Sequence, residues 1–597
     1  MKISKLKIEN FRGIKSAELL FPDHVVLIGD NNTGKSTIFE AIDLALGPDR
    51  LNRHTVIDEH DFYNGEYLSN DDTIPAPKIL IEATITDLSA EQQRHFKDYI
   101  EWWCKDAKSI HISPPPSSVD TDTKEAALRI SFIGEYDPEE DDFVGKTFYS
   151  RSIKENDTPA PFYKKDKQRC GFLYLRSLRT GSRALSLERG SLLDIILRIK
   201  EIRPQMWEKT IEEIRKFNVA SDPSIGISGV LESIEAAIKK YVPKEWGVTP
   251  HLKVSNLTRE HLRKVVTAFI ATGDGNHAAP FYHQGTGTLN ILVLAMLSQI
   301  AQDKQNVIFA MEEPETAIPP YTQKRIIQEI RKLSTQTFFT SHSPYVLEEF
   351  SIDETIALSR DSKGFLRQLN MQLPDNIKPK MYRQGFRTRF CEGLLSRRVL
   401  IAEGVTEASA MPIAARRLSE LKPDDYTSFE ALGICTIDAG GEKNIPAFSS
   451  FYNDLGKRVF AICDKQKHSD ENKEKIEKTA EKLFMHDQHG FEQLVLKGTT
   501  KAAIDRFIDE LELPSHLKRN FPDPKTDSIN ALMEYFKWSK GNLGISDFLA
   551  QCEEVEVPEW IRNTCKTIKS LSENIPQKVV TITPAETEVV INEDSLV

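Results

Sequence analysis

Gly29-Asp-Asn-Asn-Thr-Gly-Lys-Ser36 decides how this chain is read, because its spacing is that of a loop built to hold phosphate. Glycines 29 and 34 let the backbone curl so that N–H groups point inward, Lys35 brings a point charge, and Ser36 offers a hydroxyl to Mg²⁺. Asn31, Asn32, Thr33 and Thr37 complete the cradle. Val25-Val-Leu-Ile28 before it suits a buried strand. Thr37 to Leu46 after it favours a helix, which would put phosphate at a helix N-terminus. Such a cradle needs a metal-side carboxylate and a group that handles water. Val307-Ile-Phe-Ala-Met311 ends in Glu312-Glu313-Pro314-Glu315, so Glu312 is expected to hold the magnesium shell and Glu313 to orient or deprotonate the attacking water. Gln336-Thr-Phe-Phe-Thr-Ser-His342 repeats the geometry, a strand delivering an imidazole toward a γ-phosphate, one helix (Tyr321 to Leu333) further on.

Between these elements, His283-Gln-Gly-Thr-Gly-Thr-Leu-Asn290 runs into the apolar segment Ile291 to Leu297, and a glycine-rich helix start, here with Gly285 and Gly287, is again an anion site. The order of phosphate loop, long insertion, glycine-rich helix, Glu-Glu strand and histidine strand resembles the ABC-type ATPases of the SMC and RecF-like class. Asn10-Phe-Arg12-Gly13 on the opening strand matches the arginine-bearing start of that class. The resemblance implies that Arg12 belongs to the ATP site, that the helix near Gly285 completes the nucleotide site of a second copy, and hence a homodimer or higher homo-oligomer.

The second half carries different chemistry. Arg398-Val-Leu-Ile-Ala402 reads as a buried strand ending in Glu403-Gly-Val-Thr-Glu407, before a helix expected over Ala408 to Leu421. Lys457-Arg-Val-Phe-Ala-Ile-Cys463 is a second strand, ending in Asp464. In a parallel sheet the carboxyl ends of strands converge on one crevice, so Glu403, Glu407 and Asp464 can share a magnesium site there. Clustered carboxylates raise one another's pKa unless a cation offsets them, which makes a metal the economical explanation.

This half resembles a Toprim domain. Joined behind an ABC-type ATPase, it is similar to the OLD (overcoming lysogenization defect) nuclease family, which includes the nuclease subunit of the Gabija antiphage system; the likeness runs from Lys2 to about Ile561. It implies an α/β fold: an ABC/SMC-like ATPase head with a helical dimerisation insert, followed by a C-terminal Toprim domain. It also implies ATP and Mg²⁺ as cofactors, with Mn²⁺ or Ca²⁺ as alternatives in the Toprim site, and a metal-dependent DNA endonuclease in antiphage defence, with a helicase-like or reverse-transcriptase-linked partner open. By that likeness Glu403 is the first catalytic glutamate, Glu407 a second metal ligand and Asp464 the first acid of an Asp-x-Asp element. Glu492 is a later acid, with Asp487 its rival, and Lys540 is the lysine that steadies phosphate charge, with Lys537 its rival. Two departures stand out. Gln466 occupies the place of the second acid, which weakens the hold on a second metal, and Ile318-Pro319-Pro320 stands where the family often carries a histidine before proline. The alternative is a noncatalytic ATP-driven DNA clamp or scaffold with a degenerate site; a topoisomerase or primase fits less well, for want of a further catalytic module.

Composition bounds these readings. With 78 basic against 89 acidic residues the net charge is −11, so any DNA contact is local. Lys378 to Arg398, rich in arginine and leading into the Glu403 strand, and Lys164 to Arg189 are the candidate basic segments. Seven cysteines show no Cys-x-x-Cys spacing and read as buried thiols in a reducing, cytoplasmic compartment. No apolar run approaches the roughly 20 residues needed to span a bilayer, so no membrane is expected. The expected division is 1–174 ATPase, 175–255 helical insert with Pro204 kinking or ending its first helix, 256–360 ATPase again, 361–395 a basic connector, 396–575 Toprim and 576–597 a tail.

Overall fold

The computed structural model describes residues 1–48, 56–69, 75–111, 124–155, 158–175, 187, 191–200, 203–216, 227–240, 258–271, 278–285, 288, 291–292, 295–296, 298–300, 307–316, 318–369, 371–373, 387–465, 470–539 and 544–573. It divides between Leu395 and Ser396 into two units, each with its own apolar core.

In the first unit the strands are β1 (Lys2–Phe11), β2 (Ile14–Leu20), β3 (His24–Ile28), β4 (Ile79–Thr86), β5 (Ile100–Cys104), β6 (Ser109–His111), β7 (Lys124–Asp137), β8 (Asp142–Tyr149), β9 (Phe172–Leu175), β10 (Phe269–Ala271), β11 (Ala278–Pro280), β12 (Ile308–Glu312), β13 (Gln336–Thr340), β14 (Thr355–Arg360) and β15 (Phe365–Leu369). Among the described residues thirteen of them form one sheet in the order β6-β5-β7-β4-β1-β2-β15-β14-β3-β13-β12-β9, with β8 on β7, while β10 and β11 pair by themselves. The β14-β3-β13-β12-β9 stretch is wholly parallel, and β3, β12 and β9 read as largely apolar runs, as strands covered on both faces do. The β6 to β2 side is antiparallel. Helix α1 (Lys35–Leu46) buries Ile38, Phe39, Ile42 and Leu46 in the first core. Phe39 meets Tyr174 of β9 and Phe338 of β13 edge-on, with centroids 6.0 and 6.3 Å away. A fully buried ring of this kind stabilises by about 1.5–3 kcal/mol, and here it fixes α1 against two of the strands whose ends form the site.

The expected helical insert contains α2 (Leu192–Ile199), α3 (Arg203–Lys216) and α4 (Ile227–Ile238). The stretch from Leu192 to Phe217, expected to kink or end at Pro204, is in two pieces, α2 and α3, and Pro204 sits in the opening turn of α3, where its missing N–H costs nothing. Helix α5 (Pro320–Leu333) joins β12 to β13 and takes its first residue from the Pro-Pro pair. The connector expected over 361–395 is shorter than that, because β15 lies within it and pairs with β14 and β2 in the large sheet. Its last residues, Arg387–Leu395, are helical, and Lys378, Lys380 and Arg383 lie outside the described residues.

The second unit is a four-stranded parallel sheet, β16 (Arg398–Ala402), β17 (Ile434–Asp438), β18 (Arg458–Cys463) and β19 (Lys482–Met485), in the order β17-β16-β18-β19. Val399 to Ala402 and Phe460 to Cys463 are fully buried. Helices α6 (Val405–Leu421), α7 (Phe491–Gly498) and α8 (Glu559–Glu573) are among those packed around the sheet. The chain turns back on itself between β16 and β18, so the topological switch point lies at their carboxyl ends. No helix among the described residues is long and apolar enough to cross a membrane. All seven cysteines are free, Cys104 and Cys435 only half-buried and the others buried.

Candidate functional sites

The phosphate loop follows β3 directly. Gly29 and Gly34 have φ of 152° and 115°, and a Cβ on Gly29 would lie 2.9 Å from the Leu358 carbonyl oxygen, so both positions need glycine. Asn32 is also left-handed, at φ 66°, a conformation asparagine tolerates. Helix α1 begins at Lys35 with Gly34 as its N-cap and no side-chain cap, which leaves its first-turn N–H groups suited to an anion. Lys35 Nζ donates to the Gly29 and Asp30 carbonyls at 2.8 and 3.0 Å. Burial pushes its pKa down, while Asp30 and Glu313 oppose that shift.

Because β3, β13 and β12 are neighbours and parallel, Lys35, Glu312-Glu313 and His342 emerge at one edge. Glu313 is held at φ 45°, a strained value for a side-chain-bearing residue, with its N–H on the Thr340 carbonyl at 2.9 Å. His342 has its pKa lowered by burial first and by Lys35 next, with Glu313 opposing. Two residues given no role in the sequence reading enter here. The Tyr174 hydroxyl donates to Glu312 Oε1 at 2.8 Å, and half-buried Glu315 accepts the His342 N–H at 2.7 Å and the Ser341 hydroxyl at 3.0 Å through Oε1. Glu315 lay within the quoted acidic stretch but carried no signal separating it from its neighbours. Tyr174 is a strand aromatic whose partner is distant in sequence.

Other expected residues fall differently. Arg12 is not on the opening strand, which stops at Phe11; it occupies the following turn at φ 51°, with its guanidinium on Asp61 at 2.7 Å and on Glu40 of α1 at 3.0 Å. Gly285 is exposed with open space around its Cα, and Gly287 lies outside the described residues. In the second basic segment, Lys167 is fully buried and donates to the Leu44 carbonyl at 2.7 Å, a structural role. Arg398 is likewise committed, to the carbonyls of Leu432 at 2.6 Å and Ser572 at 2.8 Å.

In the second unit, Glu403 follows β16 and Asp464 follows β18, the two sides of the switch point. The Asp464 N–H donates to Glu403 Oε2 at 3.0 Å. Helix α6 begins at Val405, earlier than expected, so Glu407 lies in its first turn and accepts the Gly404 N–H at 3.1 Å, as a capping carboxylate does. Glu492 opens α7, and Gly490 lies between the acids: a Cβ there would be 3.1 Å from Glu492 Oε2 and 4.0 Å from Asp464 Oδ2. Burial raises the Glu403 pKa, and Asp464 and Glu442 add to the rise. Burial pushes Glu407 up to about 7, helped by Asp464, Glu403 and Glu492. Like charges held this close fit a divalent cation, whose charge would favour the ionised acids. Among the described residues, however, no three acidic, histidine or cysteine side chains stand at ready metal-ligating spacing. Asp487, the rival acid, is exposed and accepts the Gln488 side-chain amide at 2.8 Å. Lys537, the rival lysine, pairs with Glu534 at 2.9 Å. Gln466 and Lys540 lie outside the described residues.

Phosphate loop, acidic strand and histidine strand on one unit, and an acidic switch point on the other, define an ATPase domain joined to a Toprim-type domain. A family profile described as "AAA ATPase domain" matches residues 1–158 and 180–347, more than half of the chain. One described as "Overcoming lysogenization defect protein-like, TOPRIM domain" matches residues 394–465. The chain belongs to the OLD family of ATPase–Toprim proteins. It is 20% identical over 499 residues to the Old nuclease of Escherichia phage P2, covering 78% of this chain and 77% of that one. Among solved structures, the C-terminal region of the Burkholderia pseudomallei OLD protein covers 30% of this chain and 98% of its own, at 15% identity and a TM-score of 0.23. An SMC head bound to the C-winged helix domain of ScpA covers 62% and 99%, at 14% identity and a TM-score of 0.35. At such scores the fold rests on strand connectivity and the two profiles.

Proposed function

We propose that this protein binds and hydrolyses ATP and is a metal-dependent DNA endonuclease, nicking or cleaving, in antiphage defence. The observation that carries the nuclease reading is the gathering of Glu403, Glu407, Asp464 and Glu492 at the switch point of the parallel sheet, with the carboxyl pKa values of Glu403 and Glu407 raised by burial and by the neighbouring acids. Divalent ions held by these acids would neutralise charge developing on a phosphodiester and supply an activated water. The chain's own contribution is to fix the acids: the Asp464 N–H orients Glu403, and the α6 N-terminus orients Glu407. Lys540 is the proposed partner of the phosphate oxygens, and Gln466 a weaker neutral ligand. In the ATPase unit, Lys35, Ser36 and Glu312 would hold nucleotide and Mg²⁺, Glu313 would orient water, and His342 would face the γ-phosphate. The kinship with the phage P2 Old nuclease supports the same reading. Two copies joined through ATP would let nucleotide gate the nuclease crevice, since a few kcal/mol of differential binding shifts such an equilibrium almost fully.

Gln466 favours one alternative, an ATP-driven clamp that binds DNA without cutting. Plasmid incubated with the full chain, Mg²⁺ or Mn²⁺, with and without ATP, decides between them. Nicking by the wild type that disappears in Glu403→Ala supports the nuclease; ATP hydrolysis that disappears in Lys35→Ala supports the ATPase. Binding without cutting under every metal and nucleotide condition supports the clamp.

A further inference from the structure

We infer that His486 is the positioning residue for Asp464, and through it for the metal-binding acids; the inference rests on the metal-site reading above. His486 follows β19 as Asp464 follows β18, and these strands are paired. Its side chain is fully buried, with Nε2 lying 2.9 Å from Asp464 Oδ1. The ring is held on several sides. Trp560 of α8 meets it edge-on at 5.2 Å and 83°, and Phe491 packs at 6.2 Å. The Gln488 N–H donates to Nδ1 at 3.3 Å. That bond makes Nδ1 the acceptor and leaves Nε2 as the protonated nitrogen, 2.9 Å from the carboxylate oxygen. The two loops are tied a second time by the Lys465 N–H on the Gln488 carbonyl at 3.1 Å. Neither Asp464 Oδ1 nor His486 Nε2 has a hydrogen bond among the described residues, and the 2.9 Å approach of these two buried atoms is a close polar contact, not an aligned hydrogen bond.

The geometry divides the labour of one carboxylate. Oδ1 faces the imidazole, while Oδ2 lies on the side of Gly490 and Glu492. An acid that can rotate presents either oxygen and loses freedom when it takes an ion; one held by a rigid ring is oriented beforehand, and groups behind metal ligands act in this way. The demand on Asp464 is greater here than in an Asp-x-Asp element, because Gln466 brings no charge to share the work. His486 thus acts through Asp464 and touches no substrate.

The test is Mn²⁺ binding to the full-length, nucleotide-free protein, followed by calorimetry or by the Mn²⁺ paramagnetic signal, taking Glu403→Ala as the baseline for ions bound elsewhere. His486→Leu should weaken the Glu403-dependent binding by about 10–100-fold. His486→Gln, whose amide N–H can take the place of Nε2–H, should stay near wild type, and His486→Asn, whose amide falls at Nδ1, should not. In an Asp464→Ala background, His486→Leu should add nothing. Three results overturn the inference: wild-type affinity in His486→Leu when Asp464→Ala is weakened; an undiminished His486→Leu effect without Asp464, which marks a general packing role; or equal failure of the Gln and Asn variants. If His486→Leu does not fold, the Gln and Asn pair decides. If neither Glu403→Ala nor Asp464→Ala changes Mn²⁺ binding, the metal-site reading itself falls and the inference with it.

Discussion

The two units handle charge in opposite ways. At the phosphate loop, ionic groups of both signs stand near one another: Lys35 feels Asp30 and Glu313, and His342 feels Lys35 and Glu313. At the Toprim switch point, acids stand near acids, and burial together with mutual repulsion raises the pKa values of Glu403 and Glu407. The first arrangement is close to balanced, so its ligand is an anion with its own counter-ion; the second is short of positive charge, so its ligand is a cation. Two variants should break the molecule along this line. Glu403→Ala should lower plasmid cleavage on the order of 10²- to 10³-fold, the scale of losing an electrostatic group at a reacting phosphate, while leaving ATP hydrolysis within twofold. Lys35→Ala should do the reverse to ATP hydrolysis and leave Mn²⁺ binding at the Toprim acids intact. Cleavage and ATP hydrolysis measured on both proteins check the division.

The contrast sharpens with pH. Glu407 titrates at about 7 in the fold, against 4.5 ordinarily. Between those values the folded chain holds a proton that the unfolded chain has released, so the stability this group contributes is full below pH 4.5 and is lost as pH rises through 7. The loss is on the order of 3 kcal/mol, at 1.36 kcal/mol per pH unit. With metal chelated, the unfolding transition of the C-terminal unit should therefore fall between pH 5.5 and 8. Excess Mn²⁺ should restore it at pH 8, and Glu407→Gln should flatten the profile. Stability unchanged over that range would mean that burial and the neighbouring acids do not hold the proton on Glu407.

The sequence was most legible where chemistry and periodicity coincide. Gly29 to Ser36, the Glu312 strand and the Arg398–Ala402 strand are short, apolar or glycine-marked, and the chain folds them locally into what their residues favour. It was least legible where function depends on pairing across the sheet. Arg12 was assigned to the ATP site by likeness alone, and its partners Asp61 and Glu40 come from other segments. Lys167 and Arg398 counted as basic surface until their buried carbonyl partners appeared. Glu315 and His486 had no spacing to betray them, since each is defined by a neighbour on an adjacent strand or loop. Gln466 is the reverse case, plain in the sequence as a missing charge. Restoring it by Gln466→Asp should tighten the weaker Mn²⁺ step about tenfold, because affinity for hard cations follows the count of charged oxygens; a titration showing one unchanged step would remove Gln466 from the ligand set.

The smallest expected effect returns to the ATPase side. Tyr174 stands on β9, three strands along from the phosphate loop's own strand, and its hydroxyl donates to Glu312 Oε1 at 2.8 Å while its ring rests against Phe39 of α1. Phenylalanine keeps the ring and its packing and removes the donor alone. A neutral donor to a carboxylate is worth about 1.5–3 kcal/mol when fully buried; Tyr174 is only half-buried and water can take its place, so Tyr174→Phe should cost near 1 kcal/mol, or about fivefold. If the hydroxyl orients Glu312 toward the metal side of the nucleotide, the loss should appear in the Mg²⁺ dependence of ATP hydrolysis, with a higher Mg²⁺ requirement and little change at saturation. A fall in the saturated rate with no change in Mg²⁺ requirement would assign the hydroxyl to the water side, next to Glu313. In either case plasmid binding and Toprim Mn²⁺ affinity should not move, because a balanced site can lose one neutral donor without disturbing a unit whose difficulty is excess negative charge.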